Sequence, residues 1–139
     1  MNYFKSAHGT VTWDEGMKRV TITWDGFSYG EEFQLILLKG AELLKLKNSD
    51  KVLMDTRHGS AIKELDKIWM SEFFVQHVYN SGLRYLALVE PGSVIAKMSI
   101  NRTVNGLGTL PYQQQSFTGL EEASRWLEGI NEASVLAVS

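Results

Sequence analysis

Residues 51–60 read Lys51-Val52-Leu53-Met54-Asp55-Thr56-Arg57-His58-Gly59-Ser60. The first five make a short apolar run ending in a carboxylate, the pattern of a strand buried on both faces in a parallel sheet. Polar residues and a glycine interrupt it. The spacing then predicts a helix over 61–81, with Ile62, Leu65, Ile68, Trp69, Phe73 and Phe74 among its apolar positions. Gly82 is a natural stop for that helix, and residues 83–89 form a second short apolar run. Strand, helix and strand in succession are a βαβ unit, so the middle of the chain predicts a parallel sheet joined by a right-handed crossover.

Upstream, Val11 and Trp13 alternate with Thr10 and Thr12. Beyond Asp14-Glu15-Gly16 the alternation resumes with Val20, Ile22 and Trp24 against Thr21 and Thr23. Alternating β-branched and aromatic residues around an Asp/Gly turn predict a β-hairpin, with Trp13 and Trp24 on its buried face. Residues 28–47 carry Phe33, Ile36, Leu37, Gly40, Ala41 and Leu44 at helical spacing, and Asn48-Ser49-Asp50 ends that helix. Gly40 costs about 1 kcal/mol relative to alanine inside a helix, but small residues at 40 and 41 let the helix lie close to a sheet.

Downstream, residues 93–102 predict a third helix and 112–117 an edge strand. Gly106-Leu107-Gly108 reads as a turn between them. Thr118-Gly119-Leu120-Glu121 matches a capping box, and Leu120, Ala123, Trp126, Leu127 and Ile130 make one apolar helical face. Residues 131–139 are expected to form an irregular tail. The order ββ-α-β-α-β-α-β-α is that of a single α/β domain over 1–139. It implies a mixed sheet with an N-terminal β-hairpin, parallel core strands and about four helices, which cannot all share one face comfortably.

Composition narrows the function classes. A chain of 139 residues, 44% hydrophobic and 22% charged, is ordinary for a globular domain. A formal net charge of −2 supplies no basic field for nucleic-acid phosphates or anionic lipid. With no cysteine, disulfides, thiolate catalysis and cysteine-based metal sites are absent. Met1 to His8 contains no apolar stretch of the signal-peptide kind, and the longest aliphatic run, Leu35 to Leu38, is far too short to span a bilayer. The expected location is the cytoplasm, with neither nucleic acid nor membrane as a partner.

The element order resembles the STAS/SpoIIAA-like superfamily, and more specifically the small bacterial STAS/SEC14-domain-like proteins. The resemblance rests on the hairpin strand Val20 to Trp24 and the strand Lys51 to Asp55. It continues through Leu86-Ala87-Leu88-Val89 and the ending Phe117…Glu121-Glu122-Ala123…Trp126-Leu127. It covers nearly the whole chain but is carried by aliphatic patterns, so it implies a fold more than a chemistry. In the anti-sigma-factor antagonists of that superfamily, an Asp-Ser-Ser-Gly-like stretch carries a serine phosphorylated by a partner kinase. Here Thr56-Arg57 stands where the two serines would be. Arginine cannot accept phosphate, which leaves Thr56 and Ser60 as acceptors.

The candidate site is therefore Asp55, Thr56, Arg57, His58, Gly59 and Ser60, expected at a strand end and helix start. Ligands of open α/β sheets favour that location, and free backbone N–H groups there attract anions. The expectation is a non-enzymatic regulatory or protein-binding module, with an acidic group of a partner docking at Arg57 and His58. The alternative is a small anion- or metabolite-binding protein, or a minor enzyme, using the same corner. A plainer reading makes Asp55 or Ser60 the helix cap and Arg57 and His58 solvated loop residues.

No catalytic residue is assigned. Asp55, His58 and Ser60 are too close in sequence for relay geometry, and no Gly-x-Ser-x-Gly elbow occurs. No metal or cofactor is expected: His8, His58 and His77 are widely spaced, and no phosphate-loop or dinucleotide fingerprint occurs. The second helix carries more aromatic residues than one stripe needs, and Phe74, Val78 and Tyr79 are candidates for an interface between two copies of the chain. A SEC14-like lipid pocket ranks lowest, because those lipid-transfer domains are larger.

Overall fold

In the computed structural model, which describes the backbone of residues 1–138 and the side chains of residues 1–130, β4 (Lys51–Gly59) is a central strand. It pairs in parallel with β3 (Arg19–Gly26) on one side and β5 (Tyr85–Val89) on the other. Beyond β5 lies β6 (Gln113–Phe117), also parallel. Beyond β3 lie β2 (Gly9–Asp14) and then β1 (Asn2–Ser6), both antiparallel. The six strands follow one another across the sheet in chain order.

The predicted hairpin is β2–β3, with Val11 opposite Ile22 and Trp13 opposite Val20. Trp13 and Trp24 are both buried, as their alternation predicts. β1 is an addition to the expected order. Its five residues include Lys5 and Ser6 and show no alternation strong enough to announce a strand, yet Tyr3 and Phe4 pack on the core.

Side chains alternate between faces along each strand. Val52, Met54, Leu86 and Leu88 face the larger core, while Leu53, Ala87 and Val89 face a smaller one. The larger core is closed by α1 (Gly30–Leu46), by a long second helix and by α4 (Val94–Gly106). The smaller core is closed by α5 (Leu120–Val138) through Ala123 and Leu127. Because β3 to β6 are laid down side by side, crossovers of one hand deliver their helices to one face. The helix after the last strand is free to cover the other. Four helices thus share the two faces as three and one among the described residues.

The second helix is expected from residue 61 but begins at Glu64. It runs as α2 (Glu64–Trp69), a π-helical turn (Met70–Phe74) and α3 (Val75–Asn80). The wider π turn sets residues five apart over one another: Trp69 stacks on Phe74 with centroids 5.4 Å apart. Its first turn also caps another helix. Asp66 is buried and accepts the N–H of Gly30 through both carboxylate oxygens, at 3.2 and 3.0 Å, so a carboxylate from α2 sits at the positive N-terminal end of α1.

At the C-terminal end, Ala123 N–H donates to the Gly119 carbonyl, which makes Gly119 and not Thr118 the cap position of α5. The predicted capping box is therefore out of step by one residue, and Glu121 pairs with Arg125 at 2.9 Å instead. The helix is bounded at Val138, over most of the stretch expected as a tail. The side chains of 131–139, and Ser139 itself, lie outside the described residues. Among the described residues no helix is long and apolar enough to cross a membrane.

Candidate functional site

The stretch 55–60 is not a loop and a helix start. β4 continues through Gly59, because β3 shifts register after Thr23 so that Asp25 pairs with His58 and Gly26 with Gly59. The following helix begins only at Glu64, and its first turn carries Glu64 and Asp66. Neither Asp55 nor Ser60 caps it: the cap position is Lys63, without a side-chain bond. The expected cradle of free helix N–H groups beside residues 55–60 is thus replaced by a sheet ladder and an acidic first turn.

The six candidates are split between two surroundings. Asp55 and Arg57 lie on the side of Leu53. Asp55 is buried and receives the Arg57 Nε at 3.0 Å, the Arg57 Nη2 at 2.9 Å and the Arg57 backbone N–H at 3.1 Å. Burial pushes the Asp55 carboxyl up, but those hydrogen bonds and the guanidinium charge outweigh it and hold it below the usual aspartate range. The same pair raises Arg57. Arg57 is itself exposed and, with His58, opens onto a cleft of about 390 Å³ bounded by Glu90, Pro91, Lys97 and Thr118. Lys97 lies 3.9 Å from Glu90, so the charges in this cleft are largely matched internally.

Thr56 points the other way. It is buried, and its hydroxyl donates to the Val89 carbonyl at 2.5 Å. A phosphoryl acceptor must reach a kinase, and this hydroxyl is inside the sheet. Gly59 is needed for close approach to the protein itself, since a Cβ there would lie 3.3 Å from Trp24 Cβ. Ser60 is exposed at the strand end.

Thr56, Gly59 and Ser60 belong to the wall of a second space, which the sequence did not announce. An apolar cavity of about 90 Å³ lies between the sheet, the second helix and α4. Trp24, Phe33, Met54, Leu88, Ile100 and Val104 are among the residues that line it, and among the described residues none with a formal charge does so. Its polar wall groups include Thr103, whose hydroxyl donates to the Ser99 carbonyl at 2.9 Å. They also include Tyr112, whose phenol is pushed up to about 12 by burial and so stays protonated. The Ile62 N–H donates to Ser99 Oγ at 3.1 Å and ties the segment before α2 to α4 across the cavity mouth. α4 turns Val94, Ile95 and Met98 outward to solvent.

The interface candidates are separated in the same way. Phe74 and Val78 are buried in the larger core, because the π turn carries that face onto the sheet. They are unavailable to a second copy of the chain. Tyr79 is half-buried beneath Arg84, whose guanidinium carbon lies 4.0 Å from the ring centre. The large apolar residues this helix exposes are Leu65, Ile68 and Phe73. Among the described residues no group of three or more His, Cys, Asp or Glu side chains converges as metal ligands would.

No family model matches the chain, and no curated protein matches it. Among solved structures it is similar to an uncharacterised protein of the DUF3478 family with a SpoIIAA-like fold from Shewanella loihica PV-4. The TM-score is 0.58 and the identity 12%, over 90% of this chain and 98% of that one. At that identity the likeness concerns architecture alone. It agrees with the element order read from the sequence and with the strand order observed: this chain has a SpoIIAA-like fold.

Proposed function

We propose that the chain is a non-enzymatic, STAS-like binding module whose ligand is a small, mainly apolar molecule held in the cavity between the sheet and α4. The observation that carries this reading is the cavity itself. Protein interiors are close-packed, with few voids larger than a water molecule. A recess of about 90 Å³ lined by apolar side chains leaves those side chains without packing partners on one side. A ligand that fills it recovers that contact energy. A larger apolar cavity elsewhere, of about 150 Å³, stays dry and admits benzene.

The module is read as non-enzymatic because Asp55 spends both carboxylate oxygens on Arg57. Asp55 is therefore not free to orient His58 as a base towards Ser60.

Thermal unfolding in the presence of primary alcohols from four to eight carbons tests the reading. The melting temperature should rise saturably, following the dependence of stability on ligand concentration over Kd. The variant Val104→Trp, which fills the cavity, should not respond. Absence of a saturable rise in the native protein would end this reading.

A second reading, contact with a protein partner at Arg57 and His58, is favoured by one specific feature. The buried Asp55 carboxylate fixes the Arg57 guanidinium at the rim of the 390 Å³ cleft, and a guanidinium held this way loses little freedom on meeting a carboxylate. Thr56, between those two residues, lines the apolar cavity. One strand therefore borders both spaces, and a ligand in the cavity would press on the strand that presents Arg57. Affinity capture from host lysate with the native protein and with Arg57→Ala and His58→Ala tests it. A partner retained equally by all three proteins would dismiss this contact.

A further inference from the structure

Among the residues that line the cavity, Ser28 carries a side-chain oxygen that is both buried and unpaired. Ser28 lies in the connection between β3 and α1, lines the cavity and is 5% exposed. Its Oγ is fully buried and has no hydrogen-bond partner. The threonines on the same wall differ: Thr56 is committed to the Val89 carbonyl and Thr103 to the Ser99 carbonyl. Buried polar groups in folded proteins are nearly always paired, and an unpaired one calls for an explanation.

We infer that the cavity ligand carries one uncharged oxygen, a hydroxyl or a carbonyl, that accepts a hydrogen bond from Ser28 Oγ once rotation about χ1 turns that oxygen into the cavity, while its hydrocarbon body fills the apolar wall. The inference rests on the cavity being the binding site. The ligand oxygen is uncharged because no Lys, Arg or His lines the space, and a carboxylate or phosphate taken into such surroundings without a counter-charge is strongly penalised. One polar group suffices, because most of the wall is hydrocarbon and the hydroxyls of Thr56 and Thr103 are already in use. A site with a buried donor also discriminates, since a ligand lacking the acceptor leaves that donor unpaired.

The experiment uses three probes with the same seven carbons: toluene, benzyl alcohol and benzoate. Each is titrated by NMR into the full chain and into Ser28→Ala, with urea unfolding of both proteins as a fold control. Ser28→Ala removes only an unpaired hydroxyl, so its stability should equal or exceed that of the native chain. Benzyl alcohol should bind the native chain and lose about five- to tenfold in affinity in Ser28→Ala, the worth of one hydrogen bond. Toluene should bind both proteins within about twofold, and benzoate should bind neither. Equal binding of benzyl alcohol to the two proteins would overturn the role of Ser28 while leaving the cavity as the site. Tight binding of benzoate would overturn the uncharged class. Failure of both toluene and benzyl alcohol to bind the native chain would overturn the cavity reading and this inference with it.

Discussion

Gly40 of α1 lies so close to Ile22 of β3 that a Cβ at residue 40 would sit 2.5 Å from Ile22 Cδ1. The small residue that the helical pattern seemed to waste is what seats α1 on the sheet. Gly40→Ala gains about 1 kcal/mol of helix propensity, but overpacking a buried side chain costs about 1–3 kcal/mol. The expected outcome in urea unfolding is a net loss of about 1 kcal/mol. Shortening the neighbour with Ile22→Val should bring the double variant back above the sum of the single effects.

The Asp55–Arg57 pair makes stability depend on acid in a way that can be reversed. Asp55 is held below its ordinary value in the folded chain, so the stabilisation is fully present above about pH 4, the unfolded aspartate range. It is lost as pH falls through the lower folded value. Arg57→Ala leaves a buried carboxylate without its counter-charge, at a cost of about 2 kcal/mol near neutrality. Burial, the largest influence on Asp55, then outweighs the remaining backbone N–H of residue 57, so the variant should gain relative stability on acidification where the native chain loses it. Urea titrations between pH 3 and pH 7 check the crossing slopes.

Asp66 serves α1 from another helix, and that makes it a folding contact as well as a cap. Asp66→Ala should cost about 1–2 kcal/mol, while Asp66→Asn, which keeps an acceptor for the Gly30 N–H, should cost less. The difference between the two variants in thermal unfolding measures the hydrogen bond to the Gly30 N–H, and the loss in Asp66→Asn measures what the buried charge contributes beyond it.

Thr56 should behave as a structural hydroxyl. Thr56→Val keeps the shape and removes the donor to Val89, with an expected loss of about 1 kcal/mol. Incubation of the folded protein with a broad-specificity threonine kinase should leave Thr56 unmodified, as read by peptide mass spectrometry. Stoichiometric labelling of native Thr56 would show that β4 opens at this point.

Much of this architecture was legible because burial on both faces writes itself into a strand as a continuous apolar run. Val52 to Met54 and Leu86 to Val89 could be placed in a parallel core for that reason. β1 was not legible, because an edge strand of five residues is stabilised by its ladder and by Tyr3 and Phe4 packing, not by a pattern. Residues 55–59 were misread as a loop because their polar side chains belong to a strand whose end is covered elsewhere. Asp55 is satisfied by Arg57, which shares its face only if the chain is extended, and Thr56 by β5, thirty-three residues away in sequence. The apolar cavity left no trace in the sequence. It is the space that residues as distant as Trp24 and Val104 fail to fill, and no local periodicity encodes a volume.

Isothermal titration of the native chain and of Val104→Trp with 1-pentanol at several temperatures tests the central claim most directly. The native protein should show saturable one-to-one binding with a negative heat-capacity change, the mark of apolar surface leaving water, and Val104→Trp should show heats of dilution only. Unsaturable heats in the native protein, or identical binding by a variant whose cavity is filled, would contradict the claim that this space is a ligand site.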